Sequence, residues 1–173
     1  MISPDLPITK FEDDILNRGS FAQSLAQVLL QYSHSSSFSI GLYGEWGSGK
    51  TSLLNMVLGI VEKSDENIVI LRFNPWLCSD PKQLTTQFFK QMATAIKLKK
   101  PAAAQAWELI DQYADIFDAA SLIPVAGTFV AIAGKILTKQ AKKQKEQPVN
   151  DLQDIKNKII EKMIEENLKI VVS

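Results

Sequence analysis

The stretch Gly44-Glu45-Trp46-Gly47-Ser48-Gly49-Lys50-Thr51 fits the phosphate-binding pattern G-x-x-x-x-G-K-[ST]. That pattern is credible only between a strand and a helix. Before it lies Phe38-Ser39-Ile40-Gly41-Leu42-Tyr43, a short apolar run with β-formers, expected to be the strand. After it, Ser52 to Val61 reads as a helix with an apolar stripe. A glycine-rich turn that binds nothing would need the glycines, Lys50, Thr51 and both flanks to agree by accident.

The chemistry gives each position a role. Gly44, Gly47 and Gly49 open backbone angles closed to other residues and allow close approach to a ligand. Successive N–H groups of Gly44, Glu45, Trp46, Gly47, Ser48 and Gly49 then point into one concavity that suits an anion. The helix starting near Lys50 adds its positive end. Lys50 is the candidate catalytic residue, reaching the outer phosphates as a point charge. The Thr51 hydroxyl is the candidate Mg²⁺ ligand, and Ser52 is expected to add a hydroxyl near the inner phosphates.

Around this stretch the chain is ordinary. Its 173 residues are 46% apolar and 22% charged, as in a globular domain with a real core. Basic and acidic residues are 19 each, so bulk charge asks for no nucleic-acid partner. The lone Cys78 forms no intrachain disulfide, suits a reducing cytosol and reads as a small apolar residue. The single histidine, His34, sits in a serine loop without a second ligand beside it. The opening residues, with Asp5, Glu12, Asp13 and Asp14, do not read as a secretory signal.

Taken in order, Ser20 is expected to cap a helix from Phe21 to Tyr32 whose core face is Phe21, Leu25, Val28, Leu29 and Tyr32. Ile68 to Phe73 reads as a strand of a parallel sheet, stopped by Pro75. Asp80-Pro81 opens a helix through Ile96, and Lys97 to Pro101 breaks it. Ala102 to Phe117 reads as helical. Ala119 to Gly134 carries no charge but is shorter than the roughly 20 residues a bilayer crossing needs. Five lysines follow between Lys135 and Lys145, a solvated face or a match for anionic headgroups. Asn150 or Asp151 is expected to cap a helix bearing Leu152, Ile155, Ile159, Met163 and Leu168, and Ile170-Val171-Val172 to open another buried strand. That makes three core strands with open edges, and the expectation is association with another chain or with a missing C-terminal part.

Three segments resemble the KAP family of P-loop NTPases: Glu12 to Ala22, the tryptophan-containing Gly44 to Ser52, and Arg72-Phe73-Asn74-Pro75-Trp76-Leu77. The resemblance covers residues 12 to about 90. It implies an α/β fold, a P-loop NTPase-type parallel sheet flanked by helices, here incomplete and with an inserted apolar helical segment. It implies ATP and Mg²⁺ as cofactors and a bacterial ATPase that is often membrane-associated. On this reading residues 1–101 are the N-terminal part of the NTPase domain, 102–148 the insertion, and 149–173 the return helix and next core strand.

The family's paired aspartates would follow a strand like Ile170 to Val172, where Ser173 stands here. Asp111, Asp115 and Asp118 lie in helical sequence and are poor substitutes. The expectation is therefore a truncated cytoplasmic ATPase that binds nucleotide and hydrolyses it weakly or not at all alone. The alternative is a membrane- or partner-binding module, reaching the inner membrane through 119–145, with a vestigial loop. A nucleotide kinase is disfavoured, because Arg18 and Arg72 are the only arginines and leave no arginine-rich lid.

Overall fold

A computed structural model describes residues 6–32, 37–78, 80–121 and 148–173. It divides into two compact units, Met1–Ile68 and Val69–Ser173.

The first unit is built on two packed helices, α1 (Gly19–Gln31) and α2 (Lys50–Ser64). Before α1, Phe11–Asp13 makes one 3₁₀ turn. The Asp14 carboxylate accepts the Gly19 N–H at 2.7 Å and so satisfies an orphan amide at the start of α1. Ser20 therefore lies inside the first turn, where its carbonyl accepts the Ser24 hydroxyl, and is not the cap.

The buried face of α1 also differs from expectation. Ala22 and Ala26 are fully buried, while Phe21 and Val28 are about half exposed. Both stripes have helical spacing. Small side chains let the two helix backbones approach, so the alanine stripe takes the contact. Leu25, Leu29 and Tyr32 are half-buried, and the Tyr32 ring lies 4.1 Å from that of Phe38. Helix α2 keeps the expected pattern, burying Leu53, Met56, Val57, Leu58 and Val61.

Phe38 to Tyr43, expected to be a strand, belongs to no sheet among the described residues. Phe38 and Ile40 are exposed, and Tyr43 almost wholly so, at 93%. A strand exists only through a neighbour that takes up its amides and carbonyls. The apolar sequence is present and its ladder partner is not among the described residues.

The described sheet has two strands, β1 (Ile68–Leu71), which belongs to the second unit from Val69 on, beside β2 (Lys169–Val172). Beyond the strand ends Ser173 N–H donates to Leu71 O at 2.9 Å, and Phe73 N–H donates to Ser173 O at 2.8 Å. One residue bonding to two partners two apart is the parallel pattern. The described sheet thus has two strands, not three.

Three helices accompany it: α3 (Pro81–Lys99), α4 (Ala104–Ser121) and α5 (Pro148–Glu165). Helix α4 packs against both α3 and α5. The core joins Val69, Ala93, Ile96, Ala106, Ile110, Ile116, Ile155, Ile159 and Leu168. A run of edge-to-face rings links Phe73, Phe88, Phe89 and Tyr113, with centroids 4.8–5.2 Å apart. The Asp80 main-chain carbonyl accepts the Gln83 and Leu84 amides at the start of α3.

Helix α5 starts at Pro148, before the expected cap at Asn150 or Asp151. A proline in the first turn lacks only an N–H that would be orphaned there. The helix ends in a Schellman motif: Leu168 N–H donates to Met163 O at 2.8 Å and Asn167 N–H to Ile164 O at 3.0 Å, with Asn167 at φ 49°. This buries Leu168 beyond the helix rather than on its face.

His34 and most of the apolar and lysine-rich run from Ala119 to Lys145 lie outside the described residues. Among the described residues no helix is long and apolar enough to cross a membrane.

Candidate functional site

The stretch Gly44 to Thr51 forms a tight bend that runs directly into α2. Gly47 and Gly49 take positive φ, 74° and 78°, which L side chains rarely adopt. Between them Ser48 N–H donates to Glu45 O at 3.2 Å and closes a turn. Gly49 is the residue before the helix, and its carbonyl accepts the Leu53 amide at 3.0 Å. So α2 begins at Lys50, with its first amides at the loop.

Lys50 folds over the loop. Its ammonium donates to Gly44 O at 2.9 Å and to Glu45 O at 2.7 Å. The cation therefore sits among the loop's own carbonyls, close to the amides that follow. Glu45 is exposed, and Trp46 at the bend is fully exposed, its indole touching neither core.

Thr51 is exposed on the first turn of α2. As a magnesium ligand it offers a single hydroxyl, and no group of three His, Cys, Asp or Glu able to hold a metal occurs among the described residues. A single hydroxyl would fit an ion held chiefly by phosphate oxygens and water. Ser52 is half-buried, and its Oγ accepts the Ile8 N–H at 3.2 Å. The Ser52 hydroxyl proton remains able to donate.

Sequence reasoning gave no role to Arg18, which the fold brings to this site. From the residue before α1 its guanidinium donates to the Ser48 carbonyl, 30 residues away. Asn55 Nδ2 donates to Ile8 O at 3.1 Å, so the segment before α1 also grips α2. The available signal was the presence of one arginine in an acidic lead-in, which suggests a charge partner but does not name it.

A cleft of about 780 Å³ lies against α2, lined by Lys10, Phe11, Asp13, Met56, Ile60 and Lys63 among others. Its mixed charge does not select for an anion, unlike the loop.

The third sequence motif lies in the second unit. Asn74 Oδ1 accepts the Trp76 N–H at 3.1 Å and caps the 3₁₀ turn Pro75–Leu77. Trp76 and Leu77 are exposed, at 93% and 81%. Cys78 is half-buried and its thiol donates to Gln87 Oε1 at 3.0 Å. Asp115 pairs with Lys90 at 2.8 Å on the helix surface, an exposed ion pair and not a metal ligand set.

Comparison with known proteins adds identity to this geometry. The phage T7 exclusion protein of Escherichia coli (strain K12) is 34% identical to the chain over 74 residues, 42% of this chain and 10% of that protein. The chain thus spans about a tenth of the length of the curated relative it matches. No solved structure matches it. The family model for the KAP family P-loop domain matches residues 18–172, from the arginine on the loop to the last residue of β2. The chain belongs to the KAP family of P-loop NTPases.

Proposed function

We propose that this chain binds ATP through Gly44 to Ser52, as the N-terminal part of a larger ATPase, and hydrolyses it weakly or not at all by itself. The observation that carries the reading is the loop geometry. Two left-handed glycines flank Ser48, α2 starts at Lys50, and the Lys50 ammonium stands over the bend. Amides, helix end and cation all favour one anion.

In this reading Lys50 binds the outer phosphates and Thr51 holds Mg²⁺. Mg²⁺ held there would supply neutralisation of the phosphates' negative charge. Ser52 adds its hydroxyl near the inner phosphates. Weak turnover is expected because fast phosphoryl transfer also needs an acidic metal partner, a water-positioning group and an arginine finger, and the KAP resemblance places its acidic pair after a strand like Ile170 to Val172. Among the described residues the sheet has two strands and Phe38 to Tyr43 joins none, which supports a domain completed by further chain. Residues 1–101 and 149–173 then form one nucleotide domain with 102–148 inserted, and deleting 122–147 should leave ATP binding intact.

The test is calorimetric titration of ATP, with Mg²⁺ and with chelator, into the chain and into Lys50→Ala. Equal affinity in the two proteins removes the reading. Because the relative is named for phage T7 exclusion, we extend the proposal to that role for the parent protein. Cells expressing the parent should plate phage T7 poorly, and the Lys50→Ala parent should restore plating.

A second reading rests on the uncharged run 119–134 and its five following lysines. It makes the chain a binder of anionic membrane with a vestigial loop. Flotation with anionic liposomes decides: unchanged partition after deleting 122–147 leaves the segment a packing element.

A further inference from the structure

We propose that Arg18 is a positioning residue of the phosphate loop, acting through the Ser48–Gly49 peptide. The proposal deepens the nucleotide-binding reading and rests on it.

A peptide unit is planar, and its C=O and N–H point in opposite directions. Arg18 holds the Ser48 oxygen. The Gly49 N–H of the same unit is thereby turned away from Arg18. If the peptide flipped, a carbonyl would face the bound phosphates in place of an amide. The loop cannot prevent this by itself, since Gly49 tolerates both hands of backbone conformation. The lock has to come from outside, and a charged donor makes it stronger than a neutral one would.

The anchor is itself fixed. Asp14 holds the Gly19 amide at 2.7 Å, which sets the chain just after Arg18. Ile8 N–H donates to Ser52 Oγ at 3.2 Å, and Asn55 returns a bond to Ile8 O at 3.1 Å. A Cβ at Gly49 would meet Arg18 Nη1 at 3.4 Å and Leu16 Cδ1 at 4.0 Å. Segment 8–19 thus fastens to the loop at Ser48 and to the helix behind it at Ser52 and Asn55. Arg18 acts on nucleotide only through the loop's backbone.

The test compares ATP and ADP titrations into the chain, Lys50→Ala, Arg18→Met and Arg18→Lys, all with Mg²⁺. The Gly49 amide ¹⁵N resonance is recorded without nucleotide. Arg18→Met keeps the stem and removes the donors. It should weaken ATP and ADP by the same factor, about tenfold, and move the Gly49 resonance. Arg18→Lys keeps a charged donor and should recover most of the affinity. Affinity unchanged in Arg18→Met, even with a lower melting temperature, overturns the proposal. So does a loss much greater for ATP than for ADP, which would mean direct contact with the terminal phosphate. Should Arg18→Met not fold, Arg18→Ala is judged by the same criteria. A Lys50→Ala protein that binds ATP as the unaltered chain does would bring down the nucleotide reading itself, whatever the Arg18 variants show.

Discussion

The Lys50 ammonium lies 2.7 Å from the main-chain oxygen of Glu45, the residue whose carbonyl also closes the turn to Ser48. Without a ligand the cation is held by neutral carbonyls. A phosphate offers full negative charge and takes it over. Lys50→Ala should therefore weaken ATP by roughly ten- to a hundredfold, the worth of a hydrogen bond to a charged group. Its carbonyl partners are exposed, so the melting temperature should hardly move. Lys50→Arg should not restore binding fully, because a planar fork does not reproduce a compact ammonium. Calorimetry on the three proteins, with melting curves, checks both claims.

Gly47 and Gly49 share a backbone hand but not surroundings. A side chain costs about 1–2 kcal/mol in left-handed backbone. At Gly47 that is the whole cost, since nothing lies within 4 Å of an added Cβ. At Gly49 the Cβ would stand 3.4 Å from Arg18 Nη1, at the close end of ordinary van der Waals contact with the tip of a flexible side chain, which can give way cheaply. Gly47→Ala and Gly49→Ala should therefore lose similar stability, about 1–2 kcal/mol each. Urea unfolding of both variants measures the losses, and a Gly49→Ala loss several times that of Gly47→Ala would contradict the expectation.

The parts legible in the sequence are those fixed by local pattern. The glycine spacing located the bend, and the apolar period after it located α2. The continuous run Ile68 to Phe73 indicated a buried strand, and the structure pairs it with β2. The misread parts depend on distant partners. Phe38 to Tyr43 has strand composition, yet a strand needs a neighbour that no local pattern supplies. Two stripes of α1 had equal periodicity, and only the approach of α2 chose Ala22 and Ala26. The start of α1 looked capped by Ser20, but Asp14 reached back across the bend. The Arg18–Ser48 bond spans 30 residues and leaves no spacing to find.

Asn167 ends α5 at φ 49°, between the Met163 and Ile164 carbonyls that its motif satisfies. Asparagine tolerates this region better than most residues, and glycine tolerates it without cost. Asn167→Gly should be neutral or stabilising by up to about 1 kcal/mol. Asn167→Val should destabilise by about 1–2 kcal/mol, because a β-branched side chain is poorly accommodated there. The second unit holds this turn directly before Leu168 and β2, so the loss should register in cooperative unfolding of that unit. The urea midpoint should fall below that of the unaltered chain for Asn167→Val, and coincide with it or lie above it for Asn167→Gly.

Tyr113 stands at the end of the ring series, 4.8 Å from Phe89. Burial pushes its phenol above the usual value, since the charged form would be desolvated. The sign of the consequence follows from linkage. Below the unfolded value, about 10, both states keep the proton and the group leaves stability unchanged with pH. Above it the unfolded chain ionises first, so unfolding is increasingly favoured until the folded phenol also loses its proton. The melting temperature should fall as pH rises past about 10. Tyr113→Phe should flatten that part of the curve, while Tyr43→Phe, at an exposed ring, should not. Identical alkaline slopes in the Tyr113→Phe protein and its parent would show that the burial of this phenol does not govern stability there.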